Sequence, residues 1–192
     1  MSKVNDTHVC PVEIAGGLDN RLRRWLQDPH KILKPYIKPG MMVLDLGCGP
    51  GFFSVEIARL LNGSGQVIAA DLQQGMLDRV SHKIKGTQLE QRIRLHRCSP
   101  ESINLFEKVD FVLAFYMIHE VPDQERLFKE LKSILKLDGR ILIVEPNFHV
   151  TKKAFEAMLE KINNTGFKIF DRPKMFLSRA ALIGMEVHED QP

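Results

Sequence analysis

Three stretches of this chain carry residues that could do chemistry, and each follows directly on a run of apolar residues. The first is "VLDLGCGPGFF", residues 43–53, with glycines at 47, 49 and 51 and a carboxylate, Asp45, just ahead of them. A glycine turn of this kind lets the polar groups of a nucleotide approach the backbone closely. The second is Asp71, which ends "QVIAAD" 20 residues past Gly51, where a carboxylate can accept both hydroxyls of a ribose. The third is "AFYMIHEVPD", residues 114–123. His119 there is the side chain that titrates near neutrality, and it can deprotonate an acceptor, orient it, or cap the following turn. Tyr116 is either a wall of the pocket or a core aromatic with its hydroxyl satisfied. Glu145-Pro146 ends a later apolar run and is expected to face the same cavity, or else to bond a neighbouring loop.

Two nucleotides compete for the glycine turn. A dinucleotide turn follows G-x-G-x-x-G, whose third glycine lets a helix pack closely beneath a pyrophosphate. Here the spacing is G-x-G-x-G, and Phe52 stands where that third glycine would fall. Asp45 would repel a pyrophosphate but suits a ligand that carries an ammonium and a sulfonium. At low effective dielectric such a contact is worth several times its value in water. Asp71 does not discriminate, because NAD and S-adenosylmethionine both present a ribose diol. An NAD-dependent oxidoreductase and a non-catalytic S-adenosylmethionine-binding module are the alternatives.

These residues need a scaffold, and the hydrophobic pattern supplies one. "MMVLDL", "QVIAAD", "RIRLHR", "VDFVLAF" and "RILIVEP" read as short buried strands. Between them lie helical patterns over "FFSVEIARLL", residues 73–85 and "DQERLFKELKSILK", with Leu127, Leu131, Ile134 and Leu135 on one face of the last. A short helix is expected near Glu101, and Asp138-Gly139 is expected to turn the chain into the fifth strand. A helix over residues 152–163 precedes "FKIFDRP" and "RAALIGMEV", which are too close in sequence for a helical crossover and should pair antiparallel. Strand–helix alternation of this kind predicts an α/β, Rossmann-like fold with seven strands, mostly parallel, the last antiparallel, and helices on both faces. Ligands bind such sheets at the carboxyl ends of the strands, where all three stretches fall.

At this point a family resemblance enters. "VLDLGCGPGFFSVEIARLL" resembles motif I of class I S-adenosylmethionine-dependent methyltransferases, and "VIAADLQQGMLDRV" their second-strand segment. "VDFVLAFYMIHEVPDQERLFKELKSILKLDGRILIVEP" is similar to the UbiE-like, type 11 group of the same superfamily. The resemblance implies S-adenosylmethionine as cofactor. It implies Gly47, Cys48, Gly49 and Gly51 as contacts to its methionine part, Asp45 beside its amino group and Asp71 at its ribose. Leu72 and Met76 would flank the adenine, with Phe52 and Phe115 as further cofactor contacts. The family often has "GDA" after the third strand. Here the segment is "RCSPES", so Ser99 takes the place of the adenine-binding Asp, with Glu101, two residues on, as the substitute. His119 and Tyr116 are the candidate catalytic residues.

Composition narrows the rest. The 192 residues fit one domain, with residues 1–38 as a helical cap or lid and 39–192 as the α/β core. Leu18, Leu22, Trp25 and Leu26 form the apolar stripe of that cap. A net charge of +3 gives no clustered basic face for nucleic acid, and Arg21/Arg23/Arg24 and Arg92/Arg94/Arg97 read as solvated faces. No "NPPY"-like tetrapeptide follows the fourth strand and no Pro-Cys pair is present, which favours a small-molecule acceptor. Cys10, Cys48 and Cys98 make neither a disulfide framework nor, with His8, a metal site. With no apolar leader or membrane-length run, the expected location is cytoplasmic.

Overall fold

The computed structural model describes residues 27–186. The Leu18–Leu26 stripe, the cap's basic cluster and the His8/Cys10 pair lie outside them. The elements run α1 (Pro29–Leu33), β1 (Met42–Leu46), α2 (Phe52–Leu60), β2 (Gln66–Asp71), α3 (Gln74–Ile84), β3 (Ile93–Arg97) and β4 (Val109–Phe115). A 3-10 turn (Ile118–Glu120), α4 (Gln124–Ile134), β5 (Leu135–Pro146), α5 (Lys152–Asn164), β6 (Phe167–Asp171) and β7 (Ser178–Met185) follow. The strands form one sheet in the order β3-β2-β1-β4-β5-β7-β6. β1 to β5 are parallel, and β7 runs antiparallel to both its neighbours.

Period-two alternation sends successive side chains to opposite faces, and each face carries its own core. Leu44, Ile68, Val112 and Ile143 pack against Phe128, Leu131, Ile134 and Phe155 of α4 and α5. Val43, Val67, Leu113 and Val144 pack against Leu33 of α1, Ile57 of α2 and Val80 of α3. Part of the expected N-terminal cap is therefore core, since Leu33 and Ile37 are buried. Asp28 caps α1, its carboxylate accepting from the His30 and Lys31 amides.

Three local expectations are corrected. The segment around Glu101 is not a helix, because Ser99 and Ser102 close an antiparallel bridge that takes the backbone groups a helix would need. α4 ends at Ile134, and Leu135 belongs to β5 as the partner of Val109; the buried face of α4 is Phe128, Leu131 and Ile134. Asp138-Gly139 lies inside β5, where the register shifts between the pairs Val109–Leu135 and Phe111–Arg140. The chain doubles so tightly there that a Cβ on Gly139 would sit 2.8 Å from Leu135 Cγ, which is how a bulge can replace the expected turn.

Candidate functional site

Strand order reverses between β1 and β4, and there the carboxyl ends of the strands open on a cavity of about 530 Å3. Its first wall is the glycine turn. The Gly47 and Cys48 amides both donate to Ala70 O, at 2.9 and 3.0 Å, which lays the turn across the end of β2. The Gly49 amide then donates to Asp71 Oδ2 and the Gln73 amide to Asp71 Oδ1, each at 2.9 Å. One carboxylate thus joins the turn to the start of α3.

The glycines divide the work. All three have left-handed backbones, with φ of 70°, 53° and 80° in order. A Cβ on Gly49 would meet nothing within 4 Å, so its backbone lies bare to the cavity, whereas a Cβ on Gly51 would meet Val80 Cγ2 at 3.0 Å. Gly51 does not line the cavity; it lets α3 approach. Helix packing, the task a dinucleotide turn gives to its third glycine, is met here one position earlier than Phe52.

Asp45, Cys48, Phe52, Leu72, Met76 and Phe115 all border the cavity, as do Ser99 and Glu101. Asp45 is buried, and its Oδ2 accepts from Ser54 Oγ at 2.5 Å. Burial pushes the Asp71 carboxyl above its ordinary value, against the N–H groups of Gln73, Gly49 and Leu72, which favour the charged form. Burial also pushes the Cys48 thiol well up, with Asp45 and Asp71 adding to it, and takes Cys98 up to about 12. Neither thiol is a nucleophile near neutrality. The Ser99 hydroxyl is engaged within its own loop, donating to Ser102 O at 3.3 Å and accepting from the Ser102 amide at 3.1 Å.

The opposite wall comes from the loops after β4 and β5. Glu145 is fully buried: its Oε1 accepts from the Ile118 amide at 2.9 Å and the His119 amide at 3.3 Å. Its Oε2 meets Nδ1 of the His119 ring. The hydrogen bond from Glu145 raises the His119 pKa most, burial opposes it, and the charges of Glu145 and Glu120 add to the rise. His149 stacks on His119, ring centroids 5.6 Å apart and 16° from parallel. Tyr116 has φ of 60°, and its hydroxyl pairs with Ser178 Oγ at 2.6 Å and accepts from Gln27 Nε2 at 2.5 Å. Phe148, 72% exposed, stands edge-on to Tyr116 at the cavity rim.

Glu145 therefore does not face the cavity but turns back onto the 118–119 loop, the other arrangement its sequence position allowed. Its link to His119 and the stacked His149 carry no spacing signal, since the pairing of β4 with β5 brings them together; Ser54 reaches Asp45 locally, from the helix that follows the glycine turn. Among the described residues no group of three or more His, Cys, Asp or Glu is placed to hold a metal ion.

A family model for a methyltransferase domain matches residues 37–177. The chain belongs to this family. The chain is 31% identical over 144 residues to the demethylmenaquinone methyltransferase of Lactobacillus johnsonii, a match covering 73% of this chain and 58% of that one. It is 26% identical over 150 residues to the ubiquinone/menaquinone biosynthesis C-methyltransferase UbiE of Haemophilus ducreyi, covering 74% and 56%. The chain thus spans little more than half the length of these relatives. Among solved structures, a SAM-dependent methyltransferase of Aquifex aeolicus superposes with a TM-score of 0.80 at 23% identity, covering 91% of this chain and 99% of that one. The [4+2]-cyclase SpnF shares the fold with a TM-score of 0.64 at 19% identity, covering 78% and 59%; the fold does not by itself choose the reaction.

The cofactor that the sequence resemblance implies is S-adenosylmethionine, and the first wall fits it. A Cβ on Gly49 would meet nothing, so the cavity keeps open space beside the turn. A carboxylate offers about four acceptor positions, so Asp71 retains capacity beyond Gly49 and Gln73. Asp45 adds a second buried carboxylate at the cavity edge, suited to a cationic ligand and not to a pyrophosphate.

Proposed function

We propose that this methyltransferase passes a methyl group from S-adenosylmethionine to a small-molecule acceptor whose reacting atom is activated by loss of a proton, a quinol-like ring being the class its relatives' names support. The observation that carries the reading is a single cavity with the Asp45–Asp71 glycine turn on one wall and a carboxylate-held imidazole, His119, on the other.

When bound, S-adenosylmethionine supplies an electrophilic methyl group. Asp71 accepts the ribose hydroxyls, Asp45 faces the amino group, and the turn at 47–49, open beside Gly49, accommodates the methionine part. Leu72 and Met76 flank the adenine, with Ser99 and Glu101 along its edge and Phe52 and Phe115 closing the apolar sides. His119 orients the acceptor and takes its proton at Nε2, since Nδ1 faces Glu145. Tyr116 and Phe148 wall the acceptor and exclude water, and the engagement of the Tyr116 hydroxyl by Ser178 and Gln27 assigns it to shape more than to proton transfer. In-line displacement asks the protein chiefly for alignment and a water-poor site.

The described N-terminal residues belong to the same domain: Leu33 and Ile37 are core, and Gln27 touches Tyr116. No described helix is long and apolar enough to cross a membrane, and the thiols at Cys48 and Cys98 are free, in keeping with a reducing, cytoplasmic setting. Nucleic acid is not an expected partner.

The test is mass-spectrometric detection of S-adenosylhomocysteine when the protein meets S-adenosylmethionine and a panel of quinols, phenols and enols. Calorimetry with S-adenosylhomocysteine and NADH runs beside it. Turnover with an acidic-hydroxyl acceptor is expected; binding of NADH alone would overturn the proposal.

A further inference from the structure

We propose that Glu145 is a positioning residue for proton removal: its carboxylate fixes the ring plane and tautomer of His119 so that Nε2 receives the acceptor's proton. This rests on the reading above, in which His119 meets the acceptor.

The division of labour between the two carboxylate oxygens carries the inference. A carboxylate that merely held the loop would need only the Ile118 and His119 amides, and Oε1 serves both. Oε2 is left for the ring. A fully buried carboxylate is costly unless charge or hydrogen bonds compensate it, and here the compensation includes the imidazole itself. The Nδ1–H···Oε2 bond leaves Nε2 as the lone-pair nitrogen, and stacking on His149 resists rotation of the ring out of that pose.

The groups facing the ring are Glu145 from β5, Glu120 from its own 3-10 turn and His149 from the loop after β5. The two carboxylates strengthen His119 as a proton acceptor. In the step, the acceptor's O–H proton moves to Nε2. The electron pair it leaves forms the bond to the methyl carbon, and the carbon–sulfur pair goes to sulfur. The imidazolium, balanced by Glu145, then gives its proton to solvent, so each methyl transferred releases one proton.

Two measurements test this. Nitrogen-15 NMR of the cofactor-free protein reads the His119 ring directly. The expected result is a proton on Nδ1 in the neutral form and a midpoint above that of an ordinary histidine. Glu145→Gln should lower that midpoint by about one pH unit or more, as loss of an adjacent opposite charge does. In turnover, E145Q should shift the acid limb of the kcat profile down by a matching amount and reduce kcat about 10- to 100-fold, within the range of general-base effects. Affinity for S-adenosylhomocysteine should stay within about threefold, because Glu145 lies outside the cavity lining. An unmoved midpoint, or a kcat loss with an unmoved acid limb, would assign Glu145 to holding the loop alone. If E145Q does not fold, the wild-type spectrum still decides, since a proton on Nε2 of the neutral ring overturns the proposal. Failure of the functional reading shows separately, as absence of S-adenosylhomocysteine from the wild type with every acceptor.

Discussion

At the β1–β2 end of the cavity, buried carboxylates take hydrogen bonds from the protein's own backbone and hydroxyl groups, Asp71 from Gly49 and Gln73 and Asp45 from Ser54. At the β4–β5 end the cavity is lined by rings: His119 stacked on His149, and Tyr116 beside the exposed Phe148. The first end is mostly backbone geometry, its carboxylates held by amides and one hydroxyl. The second is side-chain geometry, with a carboxylate kept behind its imidazole. Under the proposed function the contrast matches two tasks: holding the methyl donor, and activating an acceptor whose shape the rim can vary.

Substitutions on either side should break different properties. The largest effect is expected of His119→Ala, a kcat loss of about 10²- to 10⁴-fold, as for removal of a general base, with S-adenosylhomocysteine affinity nearly unchanged by calorimetry. Comparable losses in both would place His119 with the cofactor end. Asp71→Ala should do the reverse, weakening S-adenosylhomocysteine about 100-fold, as removal of two charged hydrogen bonds implies. Gly49→Ala comes next. It has space for a Cβ, so its thermal stability should fall by only the ~1 kcal/mol that a left-handed alanine costs, while cofactor affinity falls further because the methyl group enters the ligand's path. Equal losses would mean that Gly49 serves the turn alone.

The smallest expected effects are a pH trend and a hydroxyl deletion. His119 binds its proton more tightly folded than unfolded. The stability it gains from Glu145 is therefore complete below the unfolded value near 6.5 and fades as pH rises through the raised folded value. Thermal melts across that window should fall more steeply for wild type than for H119A. Tyr116→Phe should change kcat by no more than about threefold and cost ~1 kcal/mol from the lost pairing with Ser178 and Gln27; a collapse of turnover would make Tyr116 catalytic after all.

The cofactor end was largely legible in the sequence because its chemistry is local. Gly47, Gly49, Asp45 and Asp71 follow from strand ends and spacing, and all reach the cavity. Gly51, whose added Cβ would meet Val80 at 3.0 Å, supplies the close helix approach one position before Phe52. The acceptor end was legible only in part. His119 and Tyr116 stand out by type, but Glu145 pairs with His119 across 26 residues of sequence and only because β4 and β5 are neighbours. The bulge in β5 escaped for a related reason: Asp-Gly reads as a turn, and whether it ends a strand or kinks one is decided by the neighbouring strand.

The bond between Gly49 and Asp71 bears on binding kinetics. The turn is already ordered by the carboxylate that would receive the ribose, so its conformational entropy is lost during folding and not at the encounter. The ligand then meets a shaped receptor, and association should proceed in one phase without a preceding isomerisation. Hydrogen exchange at the Gly49 amide should be slow before any ligand arrives.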